Sequence, residues 1–113
     1  MRRWKVGTEA KGWLAGPWDG SAPVAVGYAN VAADEPHAHR ETTELFLVAR
    51  GTVTVRSASG TQVVEAGEVI AFEPGEAHTF VDASPDYFAF VVHAGGDGAD
   101  RVEIDGPSLG ADA

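Results

Sequence analysis

The chain has 113 residues, no cysteine and a formal net charge of −9, from 17 acidic and 8 basic residues. This length predicts a single domain with its own hydrophobic core. The missing thiols exclude disulfides and thiolate metal sites, so a bound metal needs imidazole and oxygen ligands. The acidic balance argues against nucleic acid and anionic membranes as partners, because both attract basic surfaces. Since no segment reads as a signal peptide or a membrane span, we expect a soluble cytoplasmic protein.

Residues 1–23 contain three tryptophans, Trp4, Trp13 and Trp18, among glycine and proline. Tryptophan carries a large apolar surface and is enriched at interfaces between subunits. We therefore expect this segment to be an N-terminal arm that packs on a sheet of the domain. The alternative is that the arm reaches onto a partner subunit.

Residues 24–94 alternate between short runs rich in valine, phenylalanine, threonine and isoleucine and turns rich in glycine and proline. Short strands at roughly ten-residue spacing are typical of β-sandwiches and β-barrels. No helical periodicity of useful length is present, so the sequence predicts an all-β domain. The predicted strands are residues 24–32, 44–50, 52–57, 61–65, 69–73, 78–82 and 87–93. Residues 95–113 are rich in glycine, aspartate and alanine, and we expect the end of this C-terminal segment to be flexible.

The segment PHAHRETTELFLVARG, residues 36–51, places two of the four histidines against an apolar run. His37 and His39 are two residues apart, so on an extended strand both rings point to the same face. Glu44 stands at an odd offset from His39. It rejoins the two histidines only if residues 40–43 turn and the following residues return as a neighbouring strand. Two imidazoles and a carboxylate on adjacent strands make a metal site geometrically available.

A second segment, GEVIAFEPGEAHTFVD at residues 67–82, runs from a glycine turn through an apolar strand and a Pro-Gly turn to His78. If the strand that His78 opens lies beside the first pair, this residue adds a third imidazole. Burying a carboxylate and three imidazoles without a cation costs several kcal/mol of desolvation for each uncompensated charge. One divalent Fe, Mn, Ni, Co or Zn ion suits these ligands, so we predict a transition metal as the cofactor. The predicted ligands are His37, His39, Glu44 and His78.

These two segments resemble the two sequence motifs of the cupin superfamily. The first motif consists of HxH, four residues, a glutamate, six residues and a glycine, and its matching positions are His37, His39, Glu44 and Gly51. The positions that match the second motif are Gly67, Pro74, Gly75 and His78. The resemblance covers residues 31–82 and departs from the usual pattern at Val31, Glu73 and Asp82. None of these three departures falls on a predicted ligand.

The resemblance implies a single small jelly-roll β-barrel, formed by residues 24–94, with one metal inside it. It also implies a homodimer in which a terminal segment pairs across the subunits, which covers an exposed sheet edge. Four protein ligands on a metal that prefers six leave two adjacent positions for a small molecule, O₂ or both. We therefore expect a small-molecule ligand or substrate inside the barrel.

Alternation along the predicted strands indicates which other side chains line the inside of the barrel. The pocket candidates are Tyr28, Phe46, Phe80, Phe90 and His93. Packing in the ordinary barrel core is the favoured alternative for Phe46 and Phe90, and a structural or solvent-facing role is favoured for His93. The candidates for a general acid or base are Glu41, Tyr28, Tyr87 and His93.

The leading functional hypothesis is a metal-dependent enzyme that acts on a small organic molecule in the barrel. Dioxygenase chemistry is placed slightly ahead of isomerase, epimerase or lyase chemistry. The alternative, from a different functional class, is a non-catalytic sensor or binding module that uses the same metal pocket. No fused DNA-binding segment is visible in the sequence, which favours the enzyme.

Overall fold

The computed structural model describes residues 1–32, 35–95 and 100–104, which form ten β-strands and one short 3-10 helix, Pro17–Asp19. The strands are β1 (Lys11–Ala15), β2 (Ala25–Ala29), β3 (His37–His39), β4 (Thr43–Arg50), β5 (Thr52–Ser57), β6 (Gly60–Glu65), β7 (Val69–Phe72), β8 (His78–Ala83), β9 (Phe88–Ala94) and β10 (Arg101–Glu103). Within the described residues, no helix has the length and apolar character needed to cross a membrane. The expected flexible end of the C-terminal segment, residues 105–113, lies outside the described residues.

The ten strands form two five-stranded antiparallel sheets. The first sheet has the order β1-β2-β9-β4-β7, and the second has the order β10-β3-β8-β5-β6. Aromatic side chains of the two sheets contact each other in the space between the sheets. Phe46 of β4 lies edge-on to Phe80 of β8, with 4.6 Å between ring centroids. The predicted all-β fold, a single small jelly-roll barrel, is confirmed.

The core lies between the sheets and is built from the inward-facing positions of each strand. Burial alternates strictly along β5, where Val53 and Val55 are 1% and 2% exposed. Burying side chains of this size stabilises the fold by about 1.5–3 kcal/mol each. Ala29, Phe46 and Val91 belong both to this core and to the lining of a cavity between the sheets. The core therefore borders the cavity directly.

Each predicted strand has a counterpart in the structure, with bounds that differ by at most three residues. Strands β1, β3 and β10 were not among the predicted strands. β1 lies inside residues 1–23 and pairs with β2, and β10 lies in the C-terminal segment and pairs with β3. β1 and β10 each form one edge of a sheet, so their positions depend on long-range pairing rather than on a local pattern.

Candidate metal centre

Four strands bring five polar side chains together between the sheets. On the second sheet, His37 of β3 stands directly opposite His78 of β8, and His39 shares the face of His37. On the first sheet, Glu44 of β4 stands directly opposite His93 of β9. Directly opposite residues point to the same face of a sheet, so each pair projects as a unit. All five residues are at most 6% exposed.

One oxygen of Glu44 is the point on which three histidines converge. The Oε1 atom lies 2.8 Å from Nε2 of His78 and 3.8 Å from Nε2 of both His37 and His39. Neighbouring ligands that each sit about 2.1 Å from one ion in an octahedron lie about 3 Å apart. Each of the three predicted histidine ligands thus lies within 3.8 Å of the same carboxylate oxygen, and His37, Glu44 and His78 are close enough to one another to share an ion.

The Nδ1 atoms of two histidines are held by backbone carbonyl groups, which fixes the ring orientation. His37 Nδ1 lies 2.8 Å from the carbonyl oxygen of Glu35, and His78 Nδ1 lies 3.0 Å from that of Glu76. A carbonyl oxygen only accepts hydrogen bonds, so Nδ1 carries the hydrogen in both rings. In the neutral ring, Nε2 then offers its lone pair toward Glu44, which is the orientation that a metal ligand requires.

The third histidine of the set is oriented by a carboxylate that the sequence analysis missed. Asp100 accepts a hydrogen bond from Nδ1 of His39 at 3.1 Å. It also accepts bonds from the backbone N–H of Glu41 at 2.5 Å, and from the backbone N–H and hydroxyl of Thr42 at 2.9 and 3.0 Å. No motif indicates Asp100, because it lies 61 residues from His39 in a segment rich in glycine and aspartate.

Electrostatics in this cluster favour an ionised Glu44. Burial acts to raise the pKa of Glu44, but the hydrogen bonds with His37, His78 and His93 outweigh it and hold this pKa far below its ordinary value. Burial lowers the pKa of His37, but Glu44 and the backbone carbonyl at Nδ1 more than offset it, so that pKa is raised. The pKa of His39 is lowered, chiefly by burial. A buried anion ringed by imidazoles is the donor chemistry that a divalent transition metal fits.

The pKa of Asp100, at the edge of the cluster, is also lowered. Burial acts to raise the pKa of Asp100, and hydrogen bonds from the backbone of Glu41, from His39 and from Thr42 outweigh it, so that the pKa lies well below its ordinary value. The ionised carboxylate of Asp100 therefore fastens the turn that follows β3 to the strand β10. It also keeps the hydrogen of His39 on Nδ1.

His93 contacts Glu44 directly, in addition to lining the cavity. Its Nε2 lies 2.7 Å from the second carboxylate oxygen of Glu44, and its ring lies edge-on to His39 and to Trp13. Its Nδ1 is buried and has no hydrogen-bond partner among the described residues. His39, Glu44 and His93 form a second group of donors close enough to share an ion, beside the group formed by His37, Glu44 and His78.

A cavity of about 410 Å³ opens beside these side chains and borders both sheets. Of the pocket candidates, Tyr28, Phe46 and His93 line it. Phe80 packs in the core behind it, 6.0 Å from Phe72, and Phe72 stacks on His78 with 3.7 Å between ring centroids. Phe72 follows from the inward alternation of β7, and the sequence analysis did not use it.

Tyr28 and Phe90 share the face of the first sheet that is opposite to His93. Phe90 is 38% exposed, because β9 turns Val91 and His93 inward and Phe90 outward. Tyr28 is 4% exposed, stacks on Phe88 and also borders the cavity. The assignment of Phe90 to the pocket is therefore corrected.

Among the acid–base candidates, His93 alone reaches the centre within the described chain. Glu41 is exposed on the turn after β3, and Tyr87 lies in the apolar core at 2% exposure. Tyr28 borders the cavity, but its ring stacks on Phe88 and no contact with Glu44 is found in the part of the chain that the structure describes.

A glycine lets the first sheet approach this site closely. Trp13 of β1 lies over Gly27 of β2, where a Cβ atom would come within 2.8 Å of the indole ring and 2.5 Å of the carbonyl oxygen of Gly12. Because Gly27 has no side chain, Trp13 can lie across the strand and contact His93 with 4.8 Å between ring centroids. Trp13 thus forms part of the cavity wall.

Comparisons with known proteins agree with the fold and the motif positions. Residues 26–93 match the family model of the cupin domain. No curated protein sequence matches the chain. Among solved structures, the nucleoside dehydratase Pac13 from Streptomyces, with uridine, is similar with a TM-score of 0.70 and 10% identity. The similarity covers 93% of this chain and 92% of that one.

Two further structures share the fold. KdgF from Halomonas sp. has a TM-score of 0.64 and 15% identity, over 86% of this chain and 89% of that one. The DMSP lyase DddQ from Ruegeria pomeroyi has a TM-score of 0.59 and 15% identity, over 71% of this chain and 42% of that one. At such identities these likenesses establish the fold alone. Because the match to the family model covers more than half of this chain, the chain belongs to the cupin family.

Proposed function

We propose that this chain is a metal-dependent enzyme that converts a small organic molecule in the barrel cavity by proton-transfer chemistry, such as elimination or isomerisation. The observation that carries the proposal is the convergence of three histidine Nε2 atoms on one oxygen of Glu44 beside a cavity of about 410 Å³. That volume lies within the range of small-molecule sites. When bound, a divalent cation supplies Lewis-acid polarisation of a substrate oxygen.

The choice of proton transfer rests on His93. Four donors suffice for the predicted ligand set, and His93 is a fifth group that lines the cavity and contacts Glu44. Histidine is the side chain best suited to take up or release a proton near neutral pH. Two of the structural relatives are a dehydratase and a lyase. Because they share only the fold with this chain, the reaction class depends on His93 rather than on them.

Dioxygenase chemistry, which the sequence analysis places first, is the second candidate. The observation in its favour is the donor set itself, because three imidazoles and one carboxylate suit Fe(II) and leave adjacent positions open. In that reaction His93 has no required role as an acid or base. A sensor or binding module would use the same donors and cavity without turnover.

Metal content tests the shared basis of these candidates. The untagged protein and the variant Glu44→Gln are purified from metal-replete cells, and bound transition metal is measured per chain. We expect close to one ion per chain in the unmodified protein and a large loss in Glu44→Gln. The matched control is Glu41→Gln, an exposed glutamate three residues away, which we expect to retain its metal. An unmodified protein that binds little metal even after reconstitution would overturn the proposal.

Two measurements then separate the reactions. Metal-loaded protein is incubated in D₂O with a panel of hydroxy acids, oxo acids and sugar acids, and NMR follows exchange or loss of protons. The Fe(II)-loaded protein is tested in parallel for O₂ consumption with diketones, thiols and phenols. Proton exchange or elimination without O₂ uptake supports the proposal. O₂ uptake without proton exchange supports the dioxygenase, and binding without either reaction supports the sensor.

A further inference from the structure

Two cationic side chains line the cavity of a chain whose net charge is −9. They are Lys11 of β1 and Arg101 of β10. Among the cavity-lining residues of the described chain, Glu44 is the one acidic residue. The local charge of the cavity thus runs opposite to that of the whole molecule, which requires an explanation.

The strand register directs both cations into the cavity. Lys11 stands opposite Ala29, a core residue of β2, and shares its face of β1 with Trp13. Arg101 stands directly opposite His39 in the β10–β3 pair, so the two side chains project to the same face. Both residues lie on edge strands, and both line the same cavity.

The charge balance inside the cavity favours an anion. Within the cavity lining, Lys11 and Arg101 carry two positive charges, and the single carboxylate, that of Glu44, lies among its histidine partners. Arg101 forms an ion pair through Nε with Glu103 at 2.7 Å, but the Glu103 side chain is 64% exposed, where water screens such a pair.

The wall beside the cations has a different character. Trp13 shares a face of β1 with Lys11, contacts the ring of His93 and lines the cavity. Together with Ala29 and Val91, it forms an apolar side. A ligand that matches this arrangement has an oxygen atom at the histidine cluster, a short organic body along Trp13 and a negative group at the mouth.

We infer that the substrate of this enzyme is a small organic anion whose carboxylate binds Lys11 and Arg101 at the mouth of the cavity, while its other end reaches the metal centre. This inference rests on the proposed function, since it names the substrate class of that same site. Lys11 and Arg101 select the substrate by charge, and a carboxylate fits the planar donor fork of arginine. The neutral amide of the same shape leaves both cations without that partner.

Hydroxamates of stated length test this inference without knowledge of the substrate. A hydroxamate group binds to the metal, and its remote end samples the cations. The probes are the monohydroxamates of malonate, succinate and glutarate, each compared with the analogue in which an amide replaces the free carboxylate. Binding to the Co(II)-loaded protein is followed in the visible spectrum of cobalt. We expect at least one acid to bind about tenfold or more tightly than its amide, as charged hydrogen bonds predict.

Arg101→Gln and Lys11→Gln are expected to remove most of this advantage and to leave the affinity of the amides and the cobalt content unchanged. The matched controls are Arg50→Gln, whose guanidinium lies over Phe88 outside the cavity, and Lys5→Gln. Lys11→Gln leaves β10 intact and therefore gives an independent test if Arg101→Gln loosens that strand.

Equal binding of acids and amides along the whole series would overturn the inference, and so would an advantage that survives in both variants. In either case cobalt and the amides still bind, so the proposed function stands. A protein that takes up no cobalt fails at the proposed function itself, and the inference falls with it. These two failures are therefore distinguishable in one experiment.

Discussion

Glu44 and His93 face each other across the β4–β9 pair, with 2.7 Å between the carboxylate Oε2 and the imidazole Nε2. The other oxygen of Glu44 faces His37, His39 and His78. Because each oxygen has its own partners, the carboxylate cannot rotate without losing one set of contacts. His93 thus fixes the direction in which Glu44 presents Oε1 to the predicted metal.

This geometry predicts different outcomes for two substitutions of His93. Glutamine keeps a donor that can reach Glu44, so His93→Gln is expected to keep the metal affinity within about tenfold, whereas His93→Ala loses the contact and about 10- to 100-fold in affinity. Both variants lack the proton-transfer group, and we expect turnover to fall by about 10²- to 10⁴-fold. Competition with a chelator measures affinity, and proton exchange in D₂O measures turnover.

The same pair of variants also reports whether His93 is itself a ligand. If His93→Gln loses metal as completely as His78→Ala does, His93 binds the ion and is not an acid or base held beside it. Undiminished turnover in His93→Gln would remove the argument for proton transfer.

Asp100 is expected to act on the metal through His39. In Asp100→Asn, an amide group replaces one of the oxygens that accept hydrogen bonds from His39 and from the turn at Thr42. We expect a loss of about 1–3 kcal/mol in the free energy of unfolding and a loss of about 10- to 100-fold in metal affinity. Urea unfolding of the metal-free protein measures the first, and chelator competition measures the second.

Thr42→Val separates positioning from simple stability. This change removes the hydroxyl bond to Asp100 and leaves the contact between Asp100 and His39 in place. We expect lower stability with metal affinity within a few-fold of the unmodified protein. Equal metal affinity in Asp100→Asn and Thr42→Val would contradict a positioning role for Asp100.

The sequence predicts the part of this site that depends on local spacing. The period of two in a strand aligns His37 with His39, and the short polar turn that follows brings Glu44 back on a neighbouring strand. These relations lie within a few residues of each other and do not depend on how the sheets are ordered. His78 follows from a second local motif, and its pairing with His37 agrees with that expectation.

The remaining features depend on long-range register and on the choice of the inner face. In β9 the larger apolar residues, Phe88 and Phe90, alternate with Ala89, Val91 and His93, and the smaller set faces inward. Hydrophobicity alone favours the opposite choice, so the sequence does not decide which face of β9 lines the cavity. The distant partner Asp100 and the cation Arg101 depend on the three-residue strand β10, which is too short to carry a detectable pattern.

The close approach of Trp13 to the site predicts that Gly27→Ala is destabilising. The new Cβ atom would meet a backbone carbonyl at 2.5 Å and the indole ring at 2.8 Å, so the β1–β2 pair must shift. We expect a cost of about 1–3 kcal/mol, as in overpacked cores, and a changed fluorescence of Trp13. The control is Gly12→Ala on the opposite face of the same pair, where the contacts are at 3.3 Å and a smaller cost is expected. Equal costs for the two variants would contradict the close-approach argument.

The two carboxylates of the site predict how the stability of the metal-free protein depends on pH. The pKa values of Glu44 and Asp100 are lowered in the folded protein, whereas ordinary values of 4.5 and 3.8 apply to the unfolded chain. Between the folded and unfolded values, the unfolded state binds more protons. The stability that these groups contribute is therefore present above pH 4.5 and is lost as the pH falls below that value through the folded pKa values.

The shifted pKa values of His37 and His39 change the stability of the folded protein in opposite directions near their ordinary value of 6.5. The acid limb of the stability curve, below pH 4.5, is therefore the clearer test. The raised pKa of His37 contributes stability below pH 6.5 that is lost as the pH rises through its folded pKa. The lowered pKa of His39 destabilises the folded state on acidification below 6.5. Glu44→Gln removes one of the two carboxylates and also the anion that raises the pKa of His37. The urea midpoints of this variant are therefore expected to vary less with pH, both below pH 4.5 and around pH 6.5. An acid limb as steep in Glu44→Gln as in the unmodified protein would show that other carboxylates govern acid unfolding.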